Sequence, residues 1–335
     1  MAAMPDTMPR PKRPRVIVTR QLMPAVEARM AELFEVVLSA QDHAFSRDEL
    51  MAAVADCDVL VPTVTDRIDA DILAAAGPRL RLIANFGAGV DHIDLSAARA
   101  KAIMVANTPG VFTEDTADMT MALILSVPRR LAEGEKLMRS GAWAGWAPSA
   151  MLGHRVGGKL LGIVGMGRIG LAVARRARAF GLSIHYHNRR RLPADVEALG
   201  VTAFTDIDTL LRIADIVTLH CPHTAETHGL ISAARIAAMK PTAYLINTAR
   251  GEVVDEDALI GALTNRRIAG AGLDVYNHEP AVDPRLLGLD NVVLLPHLGS
   301  ATVEGREASG ERVIANIRAW CDGHRPMDQV IEGWA

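Results

Sequence analysis

The segment Gly165-Met166-Gly167-Arg168-Ile169-Gly170 sets the strongest constraint on how this chain folds. An apolar run, Lys159-Leu160-Leu161-Gly162-Ile163-Val164, precedes it, and a helical pattern from Ile169 to Phe180 follows. Strand, G-x-G-x-x-G turn and helix in that order are the context of a dinucleotide fingerprint. In such a turn Gly165 permits the tight bend, Gly167 lets the backbone approach a pyrophosphate, and Gly170 brings helix and strand close. The helix start, from Met166 through Arg168 and Ile169, supplies unpaired N–H groups to phosphate oxygens. The motif lies mid-chain. The next expected strand, Ser183 to His187, runs into Asn188-Arg189-Arg190-Arg191 instead of an acid.

Around this motif, short β-type runs alternate with helical patterns, which predicts an α/β protein with parallel sheets. Strands are expected at Val16–Thr19, Val36–Leu38, Val59–Val61, Leu82–Asn85 and Met104–Ala106, with a helix near Met23–Leu33. A long helical pattern runs from Thr113 to about Met138, and Pro128 should kink it or end its first part. A loop with Trp143 and Trp146 follows. A second α/β series begins at Lys159, with strands near 183–187, 216–220, 243–247, 269–273 and 292–295. Its first helix sets Ile169, Ala172, Val173, Ala177 and Phe180 on one face and Arg175 and Arg178 on the other. A final helix is expected over Val303–Cys321.

A chain of 335 residues suggests two domains. Half the residues are apolar and the net charge is −3, so no basic field for nucleic acid exists. Cys57, Cys221 and Cys321 are far apart and odd in number, which reads as reduced thiols of an intracellular, cytoplasmic protein. Residues 1–15 carry four prolines and four basic residues with no apolar stretch, so a flexible basic tail is expected rather than a secretory signal. No run of about 18 apolar residues suggests a membrane span.

Three residues after successive strands carry chemistry. Arg250 follows Tyr244-Leu245-Ile246-Asn247, Glu279 lies in the loop after the next strand, and His297 follows the strand beyond that. Ligands of open α/β sheets bind at carboxyl strand ends, so a guanidinium, a carboxylate and an imidazole should share the edge that holds the glycine turn. Reduction of a 2-keto acid needs these types. A planar guanidinium pairs with the substrate carboxylate. A histidine protonates the alkoxide that hydride delivery leaves. A carboxylate beside the histidine fixes its tautomer and favours its protonated form.

The chain resembles the D-2-hydroxyacid dehydrogenase family, and within it the glyoxylate/hydroxypyruvate reductase group. The resemblance rests on Asn85-Phe86-Gly87-Ala88-Gly89-Val90-Asp91-His92-Ile93-Asp94, Asn107-Thr108-Pro109-Gly110, Gly165 to Gly170, Asn247-Thr248-Ala249-Arg250-Gly251, Gly272-Leu273-Asp274-Val275 and Pro296-His297-Leu298-Gly299. It runs in order over nearly everything after residue 15. It implies two Rossmann-like, doubly wound domains, with a dinucleotide-binding domain (108–299) inserted into a discontinuous substrate domain (16–107 and 300–335) and a cleft between them. It also implies that Arg250 orients the substrate, that His297 is the general acid/base and Glu279 its support, and that the amides at Ala88 and Gly89 take the substrate carboxylate. Asp274 is implied to hold the nicotinamide amide, Thr116 to touch cofactor phosphate or ribose, and Cys221-Pro222 to border the adenosine. Thr248, Ala249 and Gly299 are implied to be further cofactor residues. A homodimer is implied, with Trp146 of one subunit closing the other's substrate pocket.

The segment after Ser183–His187 bears on cofactor choice. An acid there would accept bonds from a ribose 2′-OH and repel a 2′-phosphate. Asn188 is neutral, and Arg189 or Arg190 can pair with a phosphate, so NADP(H) is the expected cofactor, with NAD(H) second. His185, His187, Cys221 and His223 raise the question of zinc, but no second metal-type pair accompanies them, so no metal is expected. Other enzymes of this architecture fit less well: formate dehydrogenase has no carbonyl to protonate, and phosphoglycerate dehydrogenase types carry an extra domain. A non-catalytic, cofactor-sensing corepressor is the contrasting class.

Overall fold

The computed structural model describes residues 10–193 and 203–331. The chain divides into two compact units, one comprising Met1–Phe112 with Thr302–Ala335, the other Thr113–Ala301.

The first unit holds β1 (Arg15–Val18), α1 (Pro24–Leu33), β2 (Glu35–Val37), α2 (Arg47–Ala55), β3 (Val59–Val61), α3 (Ala70–Ala74), β4 (Leu82–Ala84), α4 (Leu95–Ala100) and β5 (Met104–Ala106). The strands form a parallel sheet in the order β2-β1-β3-β4-β5. Alternate residues of a strand point to opposite faces, and both faces here are covered. Val16, Val18, Val59 and Val61 pack with α1 and with Val313, Ile314 and Trp320 of the last helix, Val303–Cys321. Ile17, Leu60 and Ile83 pack on the other side with Leu50, Ile72 and Ala98. The unit continues past residue 107 to Phe112 because the segment there is tied inward. The Thr108 amide donates to the Gly87 carbonyl (3.0 Å), and the Thr108 hydroxyl meets that of Ser309 (3.2 Å).

Residues 1–9 of the expected basic tail lie outside the described residues. The rest of that segment is held rather than loose. The Arg10 guanidinium donates to the carbonyls of Trp320 and His324 and lies over the Trp320 ring, while Arg13 donates to the Ala31 carbonyl.

The second unit begins with α5 (Thr113–Ser126) and α6 (Leu131–Arg139), the two pieces into which Pro128 divides the long helical pattern. It continues with β6 (Leu160–Val164), α7 (Arg168–Ala179), β7 (Ser183–His187), β8 (Ala203–Phe204), α8 (Ile207–Ile213), β9 (Ile216–Leu219), α9 (Ala233–Ala238), β10 (Tyr244–Asn247), α10 (Glu256–Thr264), β11 (Gly270–Leu273), α11 (Pro284–Leu287) and β12 (Val292–Leu294). The last helix, α12 (Val303–Cys321), belongs to the first unit. Among the described residues its seven strands run parallel in the order β12-β11-β10-β9-β6-β7-β8. This is a doubly wound sheet whose direction of winding reverses between β6 and β9, where such sheets bind ligands. One face buries α5 and α7 through Leu123, Ile124, Val173 and Ala177, and the other buries α8 and α10 through Leu210, Leu211, Leu259 and Leu263. Phe180 departs from its expected inward place. It stands past the last turn of α7 and is exposed, while Ala172, Val173 and Ala177 carry the buried stripe.

Among the described residues no helix is long and apolar enough to cross a membrane. Cys57, Cys221 and Cys321 are free thiols.

Candidate active site

The glycine turn after β6 is built by close approach. Gly165 adopts φ +97°, and a Cβ there would come within 2.5 Å of the Cys221 amide nitrogen. A Cβ on Gly170 would come within 2.5 Å of the Gly165 carbonyl oxygen. Gly167, the residue capping α7, faces open space: nothing lies within 4 Å of a Cβ built on it. The two outer glycines are thus required by the protein, and the middle one leaves room at a helix N-terminus for a phosphate group. This cradle fits the pyrophosphate of a dinucleotide.

The flanking strand ends border the cradle. Asn188, after β7, accepts the Met166 amide hydrogen through Oδ1 at 2.7 Å, so its side chain braces the glycine turn. Arg189 and Arg190 are exposed beside it, and the Arg189 charge helps depress the Glu226 carboxyl, after the hydrogen bond from Thr224. His187 directs Nδ1 to the Thr205 carbonyl at 3.1 Å. After β9, burial drives the His220 imidazole down to about 3 and pushes the Cys221 thiol up to about 11, so both are neutral walls. Among the described residues no three His, Cys, Asp or Glu side chains are grouped to hold a metal ion.

On the other side of the winding reversal lie the three expected reactive side chains. Asn247 closes β10 with an Asx turn: its Oδ1 accepts from the Ala249 amide (3.0 Å) and its Nδ2 donates to the Arg250 carbonyl (2.8 Å). The turn presents Arg250 half-buried, with Nη1 donating to the Ala249 carbonyl (2.7 Å). Gly251 then lets this loop meet the one after β11, since a Cβ on it would sit 2.1 Å from the Tyr276 carbonyl carbon. In that second loop the Tyr276 amide donates to Glu279 Oε1 (3.0 Å). Glu279 Oε2 lies 2.8 Å from His297 Nδ1, with the two side chains 33% and 29% exposed. Burial works against the Glu279 carboxylate. The hydrogen bond and charge of His297, the Tyr276 amide and the Arg250 charge outweigh it and hold Glu279 below the usual carboxylate range. With Nδ1 turned to the carboxylate, Nε2 is the ring atom left to exchange a proton with a substrate.

His297 sits at φ +56°, a left-handed conformation that costs a non-glycine residue about 1–2 kcal/mol. Asp274 holds it there. Its backbone carbonyl accepts from His297 N (3.0 Å), and its carboxylate accepts from Leu298 N (2.6 Å) and Gly299 N (2.7 Å). Burial raises the Asp274 pKa despite those two amides. The Thr116 hydroxyl donates to the Gly299 carbonyl (3.0 Å), and Thr120 links the Thr116 carbonyl (2.7 Å) to the Thr248 hydroxyl (2.9 Å). Asp274 and Thr116 therefore brace the histidine turn, a role absent from the sequence reading. Thr120 and Tyr276 have no place there, and Asn247 and Gly251 stand there only within the motif that carries the resemblance, although the Asx-turn position of Asn247 is a readable signal.

Ala88 and Gly89 belong to the first unit, in the turn after β4. Trp146 is 82% exposed, in a stretch where Leu131, Met138, Trp143 and Leu152 are also exposed.

Comparison with known proteins agrees with this architecture. Residues 121–299 match the family model described as D-isomer specific 2-hydroxyacid dehydrogenase, NAD binding domain. The chain is 45% identical over 318 residues to a glyoxylate reductase of Thermococcus onnurineus (strain NA1), covering 94% of this chain and 95% of that one. It is 44% identical over 320 residues to a glyoxylate reductase of Korarchaeum cryptofilum (strain OPF8), covering 95% and 96%. The crystal structure of an NADPH-dependent glyoxylate/hydroxypyruvate reductase from Sinorhizobium meliloti, in complex with NADP and malonate, superposes with a TM-score of 0.85 at 38% identity, over 96% of this chain and 98% of that one. With a nucleotide cradle at the winding reversal and an Arg–Glu–His constellation on the same sheet edge, the chain belongs to the D-isomer-specific 2-hydroxyacid dehydrogenase family.

Proposed function

We propose that this protein is an NADPH-preferring reductase of small 2-keto acids, glyoxylate and hydroxypyruvate first, yielding D-2-hydroxy acids where the product is chiral. The observation that carries the reading is the Glu279–His297 pair at 2.8 Å, on the sheet edge that also bears Arg250 and the glycine cradle. Gly165 to Gly170, with Thr248, Ala249, Asp274, Gly299 and the Cys221-Pro222 turn, would hold the dinucleotide, with Thr116 supporting Gly299. When bound, the reduced nicotinamide supplies a hydride.

The chain's own residues supply binding and proton transfer. Arg250 pairs with the substrate carboxylate and polarises the keto oxygen. His297 Nε2 donates a proton to that oxygen as it gains negative charge. Glu279 keeps Nδ1 occupied, so the reactive nitrogen is fixed. The amides of Ala88 and Gly89 bind a carboxylate oxygen as a backbone nest.

NADPH preference is supported by the absence of an acid at Asn188, whose amide is engaged with Met166, and by exposed Arg189 and Arg190 beside it. A second copy of the chain would cover the exposed apolar stretch around Trp143 and Trp146, making a homodimer in which Trp146 reaches the partner's substrate. The three separate thiols fit a cytoplasmic enzyme. Initial rates with glyoxylate, hydroxypyruvate and pyruvate, each with NADPH and NADH, test the proposal. Glyoxylate turnover with a higher kcat/KM for NADPH is expected. Tight cofactor binding without turnover of any keto acid would replace the reductase with a cofactor-sensing binding protein.

A further inference from the structure

The turn after β4 has its carbonyl groups tied down on one side. Asn85 is 1% exposed, and its Nδ2 donates to the carbonyls of both Gly87 (3.0 Å) and Gly89 (2.9 Å). The Asn107 Nδ2 donates to the intervening Ala88 carbonyl at 2.7 Å. With these carbonyls held by side-chain amides, the N–H groups of Ala88, Gly89 and Val90 donate to no acceptor among the described residues. An unmatched row of backbone donors beside matched carbonyls is an anion receptor.

The orientation of Asn85 is forced. Two carbonyl oxygens can only accept, so Nδ2 must face them and Oδ1 must face the other way. Oδ1 there meets His92 Nε2 at 3.0 Å. An amide oxygen also only accepts, so His92 carries a proton on Nε2. His92 therefore fixes the Asn85 amide, and Asn85 fixes the peptide planes that aim the donors.

We infer that His92, acting through Asn85, is a positioning residue for the substrate carboxylate. This rests on the 2-keto acid reading proposed above. His92 touches neither cofactor nor reacting carbon in this role. Losing its hydrogen bond removes one of the three that hold the Asn85 amide, loosens the peptide planes it restrains and misaims the donors, which weakens carboxylate binding equally in the ground and transition states. Such a loss raises KM and leaves kcat in place.

The test compares wild type, His92→Leu and His92→Gln in steady-state kinetics with glyoxylate and NADPH, together with thermal melts and NADPH affinity. One net hydrogen bond corresponds to roughly a 3- to 10-fold rise in the glyoxylate KM for His92→Leu. Its kcat and NADPH affinity should stay within about twofold, and His92→Gln, which restores an N–H donor, should recover most of the KM. An unchanged KM in His92→Leu overturns the inference. So does a joint fall in kcat, cofactor affinity and melting temperature, because that pattern marks a general structural role. Oxalate titration, read by quenching of bound NADPH fluorescence, separates the inference from the reaction. If wild type binds oxalate but does not reduce glyoxylate, the function proposal fails, and weaker oxalate binding by His92→Leu still supports the positioning role. Equal oxalate affinity in the two proteins, or none in wild type, overturns it.

Discussion

Glu279→Gln tests the chemistry most directly, because it keeps the shape of the side chain and removes its charge. In the native site the carboxylate meets His297 Nδ1 at 2.8 Å and accepts the Tyr276 amide at 3.0 Å. A hydrogen bond to a charged group contributes about 1.5–3 kcal/mol. Both side chains are close to one-third exposed, so solvent screening places this one near the lower end. About 1.5–2 kcal/mol lost in the transition state corresponds to a roughly 10- to 30-fold drop in kcat. The NADPH KM should stay within about twofold, because the glycine cradle is untouched. Stability follows the same pair. The folded pKa of Glu279 lies below its ordinary value, so its stabilisation is complete above the unfolded pKa of about 4.3 and is lost as pH falls through the folded value. The difference in melting temperature between wild type and Glu279→Gln should therefore be full at neutral pH and close in acid. Stopped-flow or steady-state rates and melts across pH check both parts. A variant with wild-type kcat, or a melting difference that grows in acid, would falsify the role assigned to Glu279.

Gly251→Ala should cost more activity than its single methyl suggests, because the new Cβ would fall 2.1 Å from the Tyr276 carbonyl carbon. Forcing the Arg250 and Glu279 loops apart by about 1 Å corresponds to a kcat/KM loss on the order of 100-fold; wild-type rates would show that the loops tolerate the shift. Arg250→Lys should raise the glyoxylate KM about tenfold or more, since an ammonium cannot form the paired bonds of a guanidinium; an unchanged KM would remove Arg250 from the carboxylate site. Arg189→Ala with Arg190→Ala should raise the NADPH KM on the order of tenfold and leave the NADH KM nearly constant; equal effects on both would make the arginines an ordinary solvated face.

Elements with a long periodic pattern or a strong breaker were readable. Val303–Cys321 forms the expected helix, β3, β5 and β7 match their expected limits, and Pro128 divides the Thr113–Met138 pattern where its ring must. Phe180 was misplaced because a helical wheel continues past the real end of α7, where the chain turns and the ring meets water. The helix α2 was overlooked although Ser46 and Glu49 spell a capping box that the structure forms. The two-residue strand β8 has no local signal, since it exists only by pairing with His185 and Tyr186.

The sequence by itself determined the α/β class and the nucleotide turn and singled out Arg250, Glu279 and His297 as candidates, because each depends on local chemistry: glycines where backbones must touch, and residue types that suit a proton and a carboxylate. Tertiary structure alone decided which atoms are already engaged. Asn188 faces Met166, Asp274 holds the His297 turn in a left-handed conformation, and Asn85 draws back the carbonyls of Gly87 and Gly89. Such roles join residues distant along the chain or on opposite sides of a turn. They follow from where the backbone carries each hydrogen-bonding group, and only the folded chain fixes that.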